Sequence, residues 1–257
     1  MKPLLIFGLR GTLVERLHAR NVPSGMPAPD LTVGLAKVWL RPHLLSTLLA
    51  LQEHCRLAVW SSTTARNTRP LMSAVFNAYA TDADPGIVTG SRVAKQLKAQ
   101  SSEAAPGSTE TVSRFRKRGG KASSGFQTDD VSASLEQSPK FEFIWSREHT
   151  SVDDFRRRNA VVNDDAYATV KDLSRVFQQF QEIAQPSNTV LIDDTPSKGK
   201  LHADNFLWLD TCEGLGIQDQ QGMRQLHTFV MEKLLPAKDV RELLPARIRT
   251  GRVDSKI

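Results

Sequence analysis

An α/β fold, with a central, mostly parallel sheet flanked by helices, is predicted by three observations. Short unbroken apolar runs at 3–7, 56–60 and 188–194 have the character of strands buried on both faces. Segments of helical apolar periodicity lie between them. The runs end on Gly8, Ser61 and the pair Asp193 and Asp194, and the carboxyl ends of parallel strands are where open α/β sheets place a ligand crevice. With 257 residues, 40% of them hydrophobic, the chain can bury one sizeable core, so a single domain over 1–257 is expected.

The elements follow in chain order. Pro3 to Phe7 reads as a buried strand running into the tight turn Gly8-Leu9-Arg10-Gly11-Thr12. Residues 14–35 hold Pro23, Pro27, Pro29, Gly25 and Gly34, which predicts an irregular excursion. Val38 to Leu40 is extended. Arg41-Pro42 then opens a helix through Leu44, Leu45, Leu48, Leu49 and Leu51, with proline in the first turn, where an amide hydrogen is not needed. Arg56 to Trp60 is the next buried strand. Ser61 to Thr64 ends it and is expected to cap a helix that turns Leu71, Met72, Val75 and Phe76 inward.

Regular structure is next expected at Phe141 to Trp145, whose alternation marks a half-buried strand. Lys171-Asp172-Leu173-Ser174 leads into a helix with Leu173, Val176, Phe177 and Phe180 on one side. Asn188 to Asp194 is the clearest strand, and Asn205 to Leu209 gives a shorter one. Two helices are expected at Met223 to Leu235 and Asp239 to Ile248, followed by a basic, frayed tail.

Between these parts, residues 82–140 change character. Nine serines lie between Ser101 and Ser138, with Gly107, Gly119, Gly120 and Gly125, and apolar periodicity is missing. Such a stretch cannot bury enough surface to offset its ordering entropy, so a long, largely disordered insert is expected. Its basic run, Arg114, Arg116, Lys117 and Arg118 with Lys121, suits a partner contact, an RNA contact or an address signal as well as plain solvation.

Composition narrows the function classes. Thirty-four Lys and Arg against 28 Asp and Glu give a net charge of +6, which favours anionic partners such as RNA or acidic protein surfaces. No apolar run reaches 18 residues, so no membrane span is expected. The first strand begins so early that no signal peptide is expected ahead of it. Cys55 and Cys212 read as reduced, buried thiols of an intracellular protein, with mitochondrion, nucleus and cytoplasm all open. His43, His149 and His202 lack metal-ligand spacing. Arg156, Arg157 and Arg158 read as a solvated stretch.

Several strings together resemble the haloacid dehalogenase superfamily, in the branch of the phosphatases of the RNA polymerase II C-terminal domain and the NLI-interacting-factor-like proteins. Leu40-Arg41-Pro42-His43 is similar to that branch's Leu-Arg-Pro-Gly, and Val59-Trp60-Ser61-Ser62-Thr63 to its Val-(Trp/Phe)-Thr-(Ala/Ser)-Ser. Arg147-Glu148-His149, Lys171-Asp172-Leu173-Ser174 and Asp193-Asp194-Thr195-Pro196 match in order, as does Asn205 before a final strand. The resemblance implies a Rossmann-like fold with its crevice at Thr12, Ser61, Ser62, Lys171 and Asp193, and with Asp194 as a further metal neighbour.

In active members the opening motif is Asp-x-Asp-Gly-Thr, whose first aspartate attacks phosphorus and binds magnesium and whose second moves the proton. Here those two places hold Gly8 and Arg10. Glycine has no side chain to attack with, and a guanidinium cannot exchange a proton near neutral pH. The resemblance therefore implies a catalytically inactive, phosphatase-like binding or scaffold protein in a larger assembly such as a ribonucleoprotein or a translocase. The alternatives are an active Mg2+-dependent Ser/Thr phosphoprotein phosphatase and a sensor that binds phosphate without hydrolysing it. No cofactor is expected, with Mg2+ needed only if activity is retained, and no nucleotide cofactor. Protein partners are expected and RNA is open. Asp193 is expected to survive as a vestigial metal ligand, with the Arg10 guanidinium occupying the vacated cation position against Asp193 or Asp194.

Overall fold

The computed structural model describes residues 1–78, 138–158, 168–214, 218–249 and 252–255. A seven-stranded sheet is built from β1 (Leu4–Phe7), β5 (Arg56–Trp60), β6 (Ile144–Trp145), β9 (Thr189–Asp193), β10 (Phe206–Leu209), β11 (Ala246–Arg249) and β12 (Arg252–Ser255) in the order β12-β11-β10-β9-β1-β5-β6. Every pairing is parallel except that of β11 with β12. This is the mixed α/β class, with a mostly parallel Rossmann-like sheet, that the sequence predicts.

The apolar runs explain the layering. Successive side chains of a strand point to opposite faces, so Leu5 and Phe7 enter one core while Leu4 and Ile6 enter the other. The first core packs against α1 (Leu44–His54), α2 (Ala65–Phe76) and α5 (Gly222–Phe229), through Leu48, Leu51, Leu71, Met72 and Leu226. The second packs against α4 (Leu173–Gln179), through Leu173 and Val176, and holds Trp60, Phe143 and Trp145. Phe143 stacks on Phe180 with ring centroids 4.5 Å apart. A five-residue helix, α3 (Asp154–Arg158), lies beside a small ribbon of β7 (Ser151–Val152) and β8 (Thr169–Val170).

Several elements differ from the sequence expectation. Residues 14–35 are no irregular excursion: β2 (Val14–His18), β3 (Leu31–Val33) and β4 (Ala36–Leu40) form an antiparallel sheet in the order β2-β4-β3. The prolines and glycines fall between its strands, with Gly34 at φ +58 in the turn joining β3 to β4. Pro42 precedes α1 instead of lying in its first turn, and His43 is the N-cap residue. At Phe141 to Trp145 only the last two residues form a regular strand, although the Glu142 and Val59 amides still bond across to Leu57 and Phe143.

The C-terminal part departs most. α5 continues as a wide π-type turn over Val230–Leu234, but the helix expected at Asp239 to Ile248 is a single 3-10 turn at Val240–Glu242 followed by β11. Pro245 has no amide hydrogen to continue a helix, and Ala246 and Ile248 are buried at a spacing of two. The tail expected to fray pairs residues 252–255 with β11. Most of the expected insert, including Arg114, Arg116, Lys117, Arg118 and Lys121, lies outside the described residues. Its last residues do not: the Lys140 amide donates to Gln52 Oε1 of α1 at 3.0 Å.

One buried side chain fixes the crevice loops to this frame. Arg41, 1% exposed, donates from Nη1 to the Thr12 carbonyl at 2.8 Å and from Nη2 to the Asp210 carbonyl, with Asp219 at 3.7 Å. Three chain segments thus converge on one guanidinium, and lysine has no fork with which to reach them all. Removing one partner of a buried charged pair leaves the other unpaired, so Arg41→Ala is expected to destabilise the fold by about 3–5 kcal/mol. Urea unfolding checks this, and a loss below 1 kcal/mol would contradict the anchoring role.

Candidate functional site

The carboxyl ends of β1, β5 and β9 meet in one crevice of about 230 Å³, lined by Arg10, Ser61, Ser62, Thr63, Arg147, Lys171, Asp193, Asp194, Lys198 and Glu213 among others. β1 changes neighbours here, with β5 on one side and β9 on the other, which makes this a topological switch point. Lys171, expected in the crevice with the ends of the parallel strands, does reach it, but not from the main sheet. It follows β8 of the side ribbon, and its amide donates to the Lys198 carbonyl at 2.9 Å, which ties it to the loop after β9.

Gly8, with no side chain, lies against the acidic strand end. A Cβ placed on it would fall 2.4 Å from Thr12 Oγ1 and 2.6 Å from Asp193 Oδ2, so a carboxylate could return only if both neighbours moved. Gly11 is constrained more strictly: its φ is +80, and an added Cβ would meet Asp194 Oδ2 at 2.3 Å. Thr12 is fully buried and spans the gap, its hydroxyl donating to Asp194 Oδ1 at 3.0 Å and accepting the Asp194 amide at 3.2 Å.

Asp193 is paired with Lys171 Nζ. Both are almost fully buried, at 3% and 0% exposure, and Asp193 Oδ1 also accepts the Thr195 amide at 3.0 Å. The expected pairing of Arg10 with Asp193 or Asp194 is therefore corrected. Arg10 instead leans outward, its Nε 3.4 Å from Glu15 Oε1 and its Nη2 3.7 Å from Glu213 Oε1. Glu15 draws it there. It is 1% exposed on β2 and accepts its neighbour's amide at 2.6 Å, and burial raises its pKa against the lowering influence of Arg10.

This donor set does not suit magnesium. Position 8 offers no carboxylate, Asp193 is engaged by an ammonium, and Asp194 by Thr12. Among the described residues no group of three or more His, Cys, Asp or Glu could hold a metal ion.

The polar wall opposite is made by β5 and its following loop. Ser61, 1% exposed, accepts the Thr63 amide at 3.1 Å and lies 2.9 Å from Thr63 Oγ1, which in turn lies 3.0 Å from Thr68 Oγ1. The Thr64 side chain does not cap α2. Glu148 does so from the loop after β6, accepting the Ala65 amide at 3.1 and 3.2 Å.

Two cations on this wall were not among the expected site residues. Arg147 donates from Nε to the Ser62 carbonyl at 2.8 Å. Lys198 bonds the Thr169 carbonyl at 2.9 Å and its hydroxyl at 3.2 Å, and its pKa falls to about 8 through burial and then the nearby Lys171 charge. Lys198 carries no periodicity or motif signal, and only the Thr-Pro-Ser-Lys string after the acidic pair places it near the site. His149 and His202 are structural: one stacks on Trp145 and the other bonds Asp172 at 2.9 Å.

Asp194 carries the pH signature of the site. Burial first, and then the Asp193 charge, raise its pKa from 3.8 to about 6, against the Thr12 hydroxyl bond. A carboxyl that holds its proton more tightly folded than unfolded lowers stability as pH rises through that interval. Asp194→Asn is expected to remove this dependence, so the variant gains on the native chain between pH 4.5 and pH 7 in paired urea unfolding curves. A constant difference between the two would contradict the assignment.

No family model matches the chain, and no curated protein does. Among solved structures it is similar to the fission yeast RNA polymerase II CTD phosphatase Fcp1, in a variant bound to beryllium fluoride, with 11% identity, a TM-score of 0.37, and coverage of 91% of this chain and 53% of that one. A second structure of Fcp1, described as an essential RNA polymerase II CTD phosphatase, gives 12% identity, a TM-score of 0.37, and coverage of 91% and 52%. The chain spans about half the length of both.

Proposed function

We propose that this chain is a catalytically inactive, phosphatase-like protein that acts by binding, within a larger assembly such as a ribonucleoprotein or a translocase. The observation that carries the reading is the pairing of Lys171 with Asp193 beside a glycine at position 8. No carboxylate stands at the end of β1 to attack phosphorus, and the one retained acidic ligand of the implied motif is neutralised internally. Loss of a nucleophile together with its proton carrier removes several orders of magnitude in rate. Among the described residues of the crevice Ser61 is the one substitute at hand, and its hydroxyl is engaged with Thr63, which is no base.

A second reading, recognition of a phosphorylated ligand without hydrolysis, is favoured by one feature. The crevice remains open, and Arg147 and Lys198 border it along with the Ser61 to Thr63 hydroxyls. Lys171 is consumed by Asp193, so these two cations would meet the anion.

Activity and binding are tested separately. Incubation with Mg2+ and a phosphoserine peptide is expected to release no phosphate above background, and turnover that Ser61→Ala abolishes would overturn the inactive reading. A rise in Tm with millimolar phosphoserine peptide, cancelled by Lys198→Ala, would support ligand recognition, whereas no rise would leave the crevice a purely structural remnant. Affinity purification of the tagged chain with and without RNase then assigns the assembly: partners lost after RNase indicate a ribonucleoprotein, and partners retained indicate protein contacts.

A further inference from the structure

A second cleft, of about 380 Å³, lies between α1 and α5 and shares no lining residue with the crevice. Its walls are His43, Ser46, Thr47 and Ala50 from α1 and its N-cap, and Arg224, His227 and Thr228 from α5. The chemistry is one-sided: a permanent cation, two imidazoles and three hydroxyls, with no carboxylate among the described lining residues.

His43 carries the strongest signal. Its φ of +62 is a conformation that glycine adopts without strain and a side-chain-bearing residue rarely does. Its Nε2 is buried and has no hydrogen-bond partner, although buried polar atoms are nearly always satisfied. A histidine held in a glycine-type conformation, with an unsatisfied ring nitrogen beside a cleft, points to a role other than packing. The start of α1 beside it has no side-chain cap, so the helix adds positive potential at the same place.

We propose that this cleft binds a tetrahedral oxyanion with the chemistry of a phosphate group, held by Arg224 and His227 with the Thr228 hydroxyl, and that the His43 ring turns its enclosed, unpartnered Nε2 to the anion on binding. The guanidinium can meet two oxygens at once. Each imidazole offers an N–H, and the hydroxyl another hydrogen. Ser46 is a bystander, since its hydroxyl donates to the His43 carbonyl at 3.2 Å. Two imidazoles without a third protein ligand do not make a transition-metal site. The inference stands independently of the function proposed for the crevice.

Nuclear magnetic resonance of the histidine rings in the full chain tests it, with inorganic phosphate as the first probe. Saturable shifts are expected at His43 and His227, unchanged by Ser61→Ala in the crevice and weakened about tenfold in apparent affinity by Arg224→Ala. O-phosphoserine forms the second arm: saturation at lower concentration than inorganic phosphate assigns the site to esterified phosphate, and the reverse to the free ion. His43→Gly is expected to raise Tm without phosphate, by relieving the backbone, and to lose most of the phosphate-dependent rise. The proposal is overturned by rings that do not respond to millimolar phosphate, by shifts that survive Arg224→Ala or vanish with Ser61→Ala, or by a response to zinc in place of phosphate.

Discussion

The buried pair of Lys171 and Asp193 is the constraint around which the crevice is organised. Two opposite charges withdrawn from water are tolerable only when each satisfies the other and the remaining lone pairs find donors. Here the Thr195 amide fills that need at the second carboxylate oxygen. Lys171 in turn needs its ribbon held against the loop after β9, which the bonds of its own amide and of the Lys198 ammonium provide. Asp193 at the end of the central strand thereby acquires a fixed internal counter-ion.

The same pair explains where the other charges went. With Lys171 committed to Asp193, Asp194 next to it is left with a hydroxyl partner, Thr12, and burial and then the Asp193 charge raise its pKa. Arg10 lies with Glu15 and Glu213. Gly8 permits this compact arrangement, because Thr12 and Asp193 close over the space a side chain would occupy.

Much of the frame was legible in the sequence. β1, β5 and β9 are continuous apolar runs, a local signal that does not depend on distant contacts, and their terminal residues do converge. What could not be read was the choice of partners. Arg10 pairs with Glu15 of β2, and the antiparallel sheet that positions β2 is concealed in the sequence by the prolines and glycines of its connections. Val240, Leu243 and Leu244 have helical spacing just ahead of β11, whereas parallel pairing of Ala246 to Ile248 with β10 decides the outcome. The importance of Lys198 is visible only once Thr169 is seen beside it.

The hairpin of β11 and β12 has a consequence for the behaviour of the chain in a crowded solution. An unpaired outer strand offers a ladder of amides and carbonyls to any extended segment that drifts past. β12 covers that flank of β11 in antiparallel register, and Asp254 on it reaches Arg249 at 3.3 Å. The border on this side is then β12 itself, only four residues long and carrying Asp254, and so short and charged an outer strand gives a passing segment little to pair with.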